Sequence, residues 1–261
     1  MLDPLINIAR EAGRRILEVY HSGEPEVQTK PDGSPITRAD RVSHEYICEA
    51  LEREFRWPVI SEESEAPPYA ERRNWETFFL VDPLDGTKDF IARNGEFTVN
   101  IALIRNREPE AGVVYVPASD ELFYAGKGTG AWWRQGDQTR ALPRETPEGR
   151  VLARSWFYDN PAVEAFARAN GIRRNLKMSS AIRLPRLAEG RVNLCLVSNR
   201  SSEWDIAAGH CLVQETGGRL VELATGQTPC YNKPQLNNSF LLACGPQVAL
   251  ESLTTPAEGS F

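Results

Sequence analysis

Three short acidic segments, far apart along the chain, carry the side chains that could do chemistry. Their carboxylates are Glu62 and Glu63, Asp82 and Asp85, and Asp205. Two carboxylates buried side by side are costly unless a cation compensates them. Carboxylates are hard oxygen donors, so a set without a nearby Cys or His favours magnesium, or manganese, over zinc. The Glu62-Glu63 pair alone is more typical of a solvated turn and Asp205 alone of a helix cap, but together with Asp82 and Asp85 they predict a divalent-metal site.

The residues directly after Asp85 could bind an anion. Gly86, Thr87 and Lys88 can begin a helix, and the free amides at a helix start face a bound phosphate. Gly86 also permits a backbone conformation that other residues resist. The metal carboxylates and a phosphate-binding turn would therefore be neighbours.

Two helices are predicted to open the chain. Apolar residues recur at helical spacing over residues 5–20 and again over residues 42–55. Between them, the segment from Lys30 to Pro35 is rich in proline and glycine, which indicates an exposed loop. Thr37 is followed three residues later by Asp40, a spacing that caps a helix start. We therefore expect Asp40 in the first turn of the second helix.

The remaining chain divides into two patterns. Strand signals without intervening helices occupy residues 59–60, 78–81, 98–104, 112–116 and 122–125. Beyond residue 150, strands alternate with helices: strands at 151–153, 192–197, 218–221 and 240–243, and helices at 161–170, 180–188 and 204–215. This predicts an α+β fold of two layered halves, an antiparallel half over 1–150 with the metal motifs and a mixed half over 151–261 that completes the site.

Composition and charge exclude several functional classes. The 261 residues are 41% hydrophobic and 25% charged, which is typical of a globular protein and not of a disordered or fibrous one. The 30 basic and 36 acidic residues give a net charge of −6, which disfavours binding to a nucleic acid polymer. No apolar stretch approaches the roughly 20 residues of a transmembrane helix, and the N-terminal segment lacks the order of a signal peptide. We therefore expect a cytoplasmic protein.

Cysteines and histidines offer no alternative site. The five cysteines are widely spaced without a C-x-x-C pair, which favours reduced, packed thiols. The three histidines show no paired ligand spacing. The carboxylate segments remain the strongest candidates for chemistry.

The order of the acidic segments resembles that of a known superfamily. Four segments are similar to motifs of the inositol monophosphatase superfamily. In chain order they are Asp32-Gly-Ser-Pro-Ile-Thr37-Arg-Ala-Asp40, Glu62-Glu63, Asp82-Pro-Leu-Asp-Gly-Thr87 and Trp204-Asp205. Its members are lithium-sensitive, magnesium-dependent phosphatases. The matching motifs span roughly residues 30–218. The resemblance implies a layered α-β-α-β-α fold and a metal-dependent phosphoric monoester hydrolase, with a further possibility of peripheral attachment to the inner membrane.

The resemblance also implies metal ligands. Glu62, Asp82 and the main-chain carbonyl of Leu84 would bind one ion, and Asp82, Asp85 and Asp205 would bind a second. Two metals about 4 Å apart can stabilise both the attacking and the departing oxygen of a phosphoryl transfer. A loop with Lys30 and Asp32 resembles the mobile flap of the family and could hold a weaker ion, giving two or three magnesium ions, with manganese as a substitute.

Catalytic and phosphate-binding roles follow from the same resemblance. Glu62 and the Thr87 hydroxyl would orient the attacking water, and Asp40 would polarise that hydroxyl. Gly86, Thr87 and Lys88 would receive the phosphate.

A narrower likeness bears on the substrate. Two segments are similar to the bacterial 3'(2'),5'-bisphosphate nucleotidase (CysQ) group. They are Lys88-Asp89-Phe90, where inositol enzymes have Thr-Asn-Phe, and the segment from Trp204 to His210. Members of that group remove the 3'-phosphate from adenosine 3',5'-bisphosphate, a by-product of sulfate activation, and release AMP. The likeness therefore implies a nucleoside bisphosphate as the substrate.

The segment before Trp204 supports the same choice. Inositol enzymes place a Glu seven residues before the metal Asp, where this chain has Ser198. Arg200 supplies instead a planar donor pair suited to a second phosphate. Three residues match a Ser-Ser-x-Lys-like stretch of the group and could reinforce that contact: Ser179, Ser180 and Arg183. Glu203, beside Asp205, departs from the family pattern and would oppose a bisphosphate if its side chain faced the site.

Three functions remain open on the sequence. The first is the bisphosphate nucleotidase, the second an inositol or broad sugar phosphatase of the same fold, and the third a non-catalytic sensor of metal and bisphosphate. The partner in each case is a small phosphate ester, and the chain would be a monomer or a homodimer.

Overall fold

The helices of the computed structural model, which describes residues 1–157 and 160–255, follow the apolar periodicity of the sequence. In this part of the chain they are α1 (Leu2–Ser22), α2 (Arg38–Phe55), α3 (Tyr69–Arg72), α4 (Thr87–Ile91), α5 (Pro161–Ala169), α6 (Ser180–Glu189) and α7 (Glu203–Glu215). The two predicted N-terminal helices are confirmed. At the start of α2, Thr37 and Asp40 form the reciprocal capping box that their spacing predicts.

A seven-stranded sheet forms the N-terminal half and is built almost entirely as a meander. Its strands, in spatial order, are β3 (Val59–Ser61), β4 (Thr77–Asp85), β5 (Thr98–Arg105), β6 (Glu108–Val116), β7 (Glu121–Gly126), β8 (Gly130–Gln135) and β9 (Gln138–Ala141). Side chains alternate between its two faces. Phe79, Ile101 and Val113 pack towards α1 and α2, whereas Phe78 and Val114 point to the opposite face.

The C-terminal half contains a mixed five-stranded sheet, as predicted. Its spatial order is β11 (Arg174–Met178), β10 (Val151–Ser155), β12 (Leu194–Val197), β14 (Leu241–Cys244) and β13 (Arg219–Glu222). β10 is parallel to both of its neighbours, and β14 is antiparallel to both of its own. Helix α5 covers the outer face of this sheet through Phe166 and Ala167.

Helices α6 and α7 lie between the two sheets. Ile206 and Leu212 of α7 share one buried cluster with Phe123 of β7 and Ala153 of β10. The contact is close, because a Cβ atom added to Gly112 of β6 would lie 2.5 Å from the carbonyl oxygen of Ala208. The layers are thus α1 with α2, sheet, α6 with α7, sheet, and α5, which confirms the α-β-α-β-α architecture.

Three features of the strands differ from the prediction. β3 pairs with β4 in parallel, so the N-terminal sheet is not wholly antiparallel. The strands β8, β9 and β11 were not expected. β9 and β11 are edge strands whose mostly exposed polar residues lack an apolar pattern, whereas β8 lies between β7 and β9 and buries Ala131 and Trp133. A two-stranded hairpin, β1 (Gln28–Thr29) with β2 (Pro35–Ile36), flanks the expected loop that carries Asp32.

The division of the chain at residue 150 stays a prediction. It falls in the connection between β9 and β10, but α7 of the second half packs on the sheet of the first. Within the described residues, no helix combines the length and the apolar character needed to cross a bilayer.

Candidate active site

Carboxylates from three elements converge at one edge of the seven-stranded sheet. Glu62 follows β3, Asp82 lies near the end of β4, and Asp205 lies in the first turn of α7. One carboxylate oxygen from each of these three lies within 4.8 Å of the others. The predicted convergence of residues distant in sequence is therefore present in the fold.

The local backbone explains how β3 and β4 present these groups. Their parallel pairing brings the ends of both strands to the same sheet edge, and the amide of Glu62 donates to the carbonyl of Val81 at 3.1 Å. Asp82 and Asp85 pair with Asn100 and Thr98 of β5, and the register shifts between them, at Pro83 and Leu84. The amide of Leu84 donates to Asp82 Oδ1 at 3.1 Å, which fixes that side chain.

Asp85 lines the same cavity as this cluster. Its Oδ2 accepts a hydrogen bond from Asn100 Nδ2 at 3.2 Å. Burial raises the pKa of Asp85 well above its usual value, and repulsion from Asp205 and Glu62 raises it further. Asp85 thus faces the same cavity as the three carboxylates of the cluster.

The electrostatics of the cluster favour a bound cation. Burial, and then repulsion from Glu62, Asp85 and Asp205, raise the pKa of Asp82 well above its usual value. Burial, and then repulsion from Glu62, raise the pKa of Asp205 to about 7. The Nζ atom of Lys30 donates to Glu62 and to Glu63 at 2.7 Å each, which balances only part of the negative charge. A cluster of carboxylate oxygens that repel one another in this way fits a hard divalent cation.

We expect magnesium affinity to rise with pH, because a metal competes with protons for these carboxylates. A carboxylic acid whose pKa is higher in the folded protein than in the unfolded chain stabilises the fold when the pH is below its pKa in the unfolded chain. This stabilisation is lost as the pH rises through its pKa in the folded protein. For Asp205 this interval runs from the ordinary 3.8 to about 7. The metal-free protein should therefore lose stability over this interval, while magnesium binding tightens.

Melting temperatures in EDTA and calorimetric magnesium titrations from pH 5.5 to 8 measure the two trends. The Asp205→Asn variant is the control, since its metal-free melting temperature should depend less on pH. A magnesium affinity that stays constant over this range would contradict the expectation.

Thr87 and Asp40 are in contact, as the resemblance implies. Thr87 Oγ1 donates to Asp40 Oδ1 at 3.2 Å, and the other oxygen of Asp40 accepts from the amide and the hydroxyl of Thr37 at 2.6 Å each. Asp40 is therefore held by its own capping box. Because the Thr87 hydrogen is engaged, the lone pairs of its oxygen are left to accept a hydrogen bond.

A cleft of about 1230 Å³ opens beside the cluster. Of the residues that the sequence analysis selected, the following line it: Asp32, Glu62, Asp82, Leu84, Asp85, Gly86, Thr87, Lys88, Ser179, Ser180, Arg183, Arg200 and Asp205. The remaining two, Lys30 and Asp40, contact Glu62 and Thr87. The selected residues thus lie around one cleft, and their individual roles stay predictions.

The turn at Gly86 is connected to the start of α6 by contacts of Ser179 that the sequence analysis did not predict. Ser179 Oγ donates to Asp89 Oδ2 at 2.7 Å, and Glu96 Oε2 accepts from the amide of Ser179 at the same distance. Gly86 has φ +87°, and a Cβ there would lie 3.3 Å from Ser179 Oγ. Ser179 therefore holds the turn in place through its hydroxyl. Asp89 lies within the quoted motif, but nothing in the sequence pointed to Ser179 as its partner.

Glu203 does not face the cleft. Its side chain is fully buried and accepts hydrogen bonds from the amides of Asn232 at 2.6 Å and Lys233 at 3.0 Å. Lys233 Nζ lies 2.8 Å from the same carboxylate. The negative charge is thus neutralised away from the substrate cleft and does not oppose an anionic ligand.

Comparisons with known proteins agree with this geometry. The 3'(2'),5'-bisphosphate nucleotidase CysQ of Salmonella typhimurium is 38% identical over 222 residues, covering 84% of this chain and 89% of the relative. The protein of the same name from Haemophilus influenzae is 30% identical, with 95% and 93% covered. The crystal structure of CysQ from Bacteroides thetaiotaomicron superposes with a TM-score of 0.82 at 34% identity, over 94% of this chain and 97% of that one.

A family model covers nearly the whole sequence. The model described as the inositol monophosphatase family matches residues 1–258. This range includes all the acidic segments as well as Arg183 and Arg200. On this match, and on the relatives above, the chain belongs to the inositol monophosphatase family.

Proposed function

We propose that this chain is a magnesium-dependent phosphatase that removes the 3'-phosphate of adenosine 3',5'-bisphosphate and releases AMP. The observation that carries the proposal is a single cleft lined both by the acidic residues Asp82, Asp85 and Asp205 and by the basic residues Arg183 and Arg200. The first set suits metal ions and the second suits a further phosphate. The names of the similar CysQ proteins support this substrate.

We propose that the site holds two magnesium ions, with a third, weaker one near the flap. Glu62, Asp82 and the carbonyl of Leu84 would hold one, and Asp82, Asp85 and Asp205 the other. When bound, magnesium supplies Lewis-acid stabilisation of the oxygens whose charge changes during phosphoryl transfer. Lys30 and Asp32 belong to the flap in this proposal.

Thr87 and Glu62 would orient the attacking water. The Thr87 hydroxyl donates its hydrogen to Asp40, so its oxygen can accept one hydrogen of the water, and a Glu62 oxygen can accept the other. Two acceptors fix the direction of the water lone pair that attacks phosphorus. The turn at Gly86, together with Lys88, would contact the phosphate that is removed from the substrate.

The second phosphate would lie against Arg183 and Arg200. Nε of Arg183 is buried without a hydrogen-bond partner in the part of the chain that the structure describes. An unpaired buried donor is costly, and a phosphate oxygen would satisfy it. This feature supports an acceptor group of the substrate beside Arg183.

Phosphate release from adenosine 3',5'-bisphosphate and from inositol 1-phosphate, each with magnesium, tests the substrate. We expect a higher kcat/KM for the nucleotide. A preference for inositol 1-phosphate would leave the inositol or sugar phosphatase, and binding of the nucleotide without turnover would indicate the sensor.

The two arginines should discriminate between one phosphate and two. We expect Arg183→Met and Arg200→Met each to raise KM for adenosine 3',5'-bisphosphate about 10-fold or more, since a charged hydrogen bond contributes roughly 1.5–3 kcal/mol. KM for adenosine 3'-phosphate, which lacks the second phosphate, should change little. Arg219→Met, at an exposed ion pair with Glu251, is the matched control. An equal rise of KM for both substrates would contradict the assignment.

A further inference from the structure

The segment 230–238 encloses the start of α7, two residues from Asp205. The amide of Glu203 donates to the carbonyl of Leu236 at 2.8 Å, and Asn238 donates from its amide to Ser201 O at 2.8 Å and from its side chain to Ser202 O at 2.7 Å. Asp205 Oδ2 in turn accepts from the amide of Ser202 at 2.8 Å. The backbone that carries Asp205 is therefore fixed by a segment about thirty residues further along the chain.

Glu203 is the anchor between α7 and this segment. Its carboxylate has no exposed surface and takes two backbone amides and one ammonium group, from Asn232 and Lys233. Each oxygen of the carboxylate accepts one backbone amide, and Oε1 also receives the ammonium group of Lys233. Such a carboxylate is rigid, because any displacement breaks several strong hydrogen bonds at once.

Arg72 connects the 230–238 segment to the segment that follows Glu62. This guanidinium is 3% exposed and donates to Asn232 Oδ1 at 2.6 Å, to the carbonyls of Lys233 and Pro234 at 2.8 and 2.9 Å, and to the carbonyl of Pro67 at 3.1 Å. The Asn232 side chain returns a hydrogen bond to Arg72 O at 2.6 Å. Residue 67 lies in the segment that follows Glu62 and Glu63.

We propose that Glu203 and Arg72 are positioning residues that hold Asp205 of α7 at a fixed distance from the Glu62 segment through the 230–238 segment. Neither side chain lines the cleft. The proposal rests on the metal site of the proposed function.

The need for such a connection follows from charge. Glu62, Asp82 and Asp205 repel one another at a separation below 4.8 Å, and α7 belongs to a different layer of the fold from β3 and β4. A connection outside the site opposes their separation and keeps the ligands in place before a cation binds. Partners that orient metal ligands from outside the site typically change metal affinity 10- to 100-fold when they are replaced.

Magnesium titration of the purified protein by calorimetry tests the proposal without relying on turnover. We expect Glu203→Gln to raise the Kd for magnesium about 10-fold, since one acceptor and the charge opposite Lys233 are lost. Glu121→Gln is the matched control, because Glu121 is also buried and ion-paired, with Arg186, but away from the carboxylate cluster. Both variants should melt at lower temperature, and only Glu203→Gln should bind magnesium more weakly.

A second variant covers the case in which Glu203→Gln does not fold. Asn232 has φ +63°, which glycine accepts readily. Asn232→Gly therefore removes the side chain that joins Arg72 while the backbone amide that donates to Glu203 remains. We expect this variant to raise the magnesium Kd several-fold, with an unchanged KM for substrate once magnesium is saturating.

The outcomes separate the positioning role from the metal site itself. If Asp205→Asn binds magnesium as well as the unmodified protein does, the metal site of the proposed function is wrong. If Asp205→Asn weakens binding but Glu203→Gln and Asn232→Gly do not, the metal site stands and the positioning role is overturned.

Discussion

The Asp82→Asn variant should lose activity by about a thousandfold or more and yet melt at a higher temperature than the unmodified protein in EDTA. Asp82 is 1% exposed and would belong to both ligand sets of the proposed metal site. A thousandfold loss corresponds to about 4 kcal/mol of transition-state stabilisation. The gain in melting temperature follows because the variant removes a buried charge that Glu62, Asp85 and Asp205 repel.

Asparagine keeps the shape of the side chain and can still accept the hydrogen bond from the Leu84 amide. A gain of about 1 kcal/mol would appear as a shift of roughly 2–4 °C in a chain of this size. Asp120→Asn, at a partly exposed ion pair with Arg10, is the control for a lost aspartate elsewhere. Unchanged activity of Asp82→Asn would show that Asp82 does not take part in the reaction. A lower melting temperature in EDTA would show that the hydrogen bonds of Asp82 stabilise the fold more than its repulsion from the other carboxylates destabilises it.

The Thr87→Ala variant should have a kcat lower by about 100-fold, with KM and magnesium affinity nearly unchanged. Its hydroxyl donates to Asp40 and would act on the attacking water, so its effect belongs to the reaction step and not to binding. Steady-state kinetics at saturating magnesium, with calorimetric magnesium titration, separate the two quantities.

The Thr87→Ser variant keeps the hydroxyl and serves as the control. It should retain most of the activity, because serine can donate to Asp40 in the same way. Weaker substrate binding without a slower kcat in Thr87→Ala would assign Thr87 to substrate affinity instead.

Local patterns in the sequence predict much of the fold and the carboxylate set. The Thr37 and Asp40 spacing predicts the capping box, and the long apolar periodicities predict α1 and α2. The parallel pairing of β3 and β4 could not be predicted in this way. β3 has only three residues, and its partner follows after a connection that contains one short helix, so no local pattern encodes the direction of the pairing.

Partners distant in sequence explain what the site analysis missed. Ser179 meets Asp89 across 90 residues, and Glu203 meets the amides of residues about 30 positions later. The position of Glu203 beside Asp205 suggested that its carboxylate could repel an anionic substrate. Its donors are backbone amides, which every residue type except proline carries, so the sequence alone gives no sign of where its charge is neutralised.

The layer order has a consequence for synthesis of the chain. The face of the seven-stranded sheet with Phe79 and Ile101 is covered by α1 and α2, which precede the sheet, whereas the face with Phe78 and Val114 is covered by α6 and α7, which follow it. Growing chains generally fold from the N-terminus onward. During translation, the second face therefore stays open to water or to chaperones until the residues of α7 have left the ribosome, and the metal ligands can assemble only then.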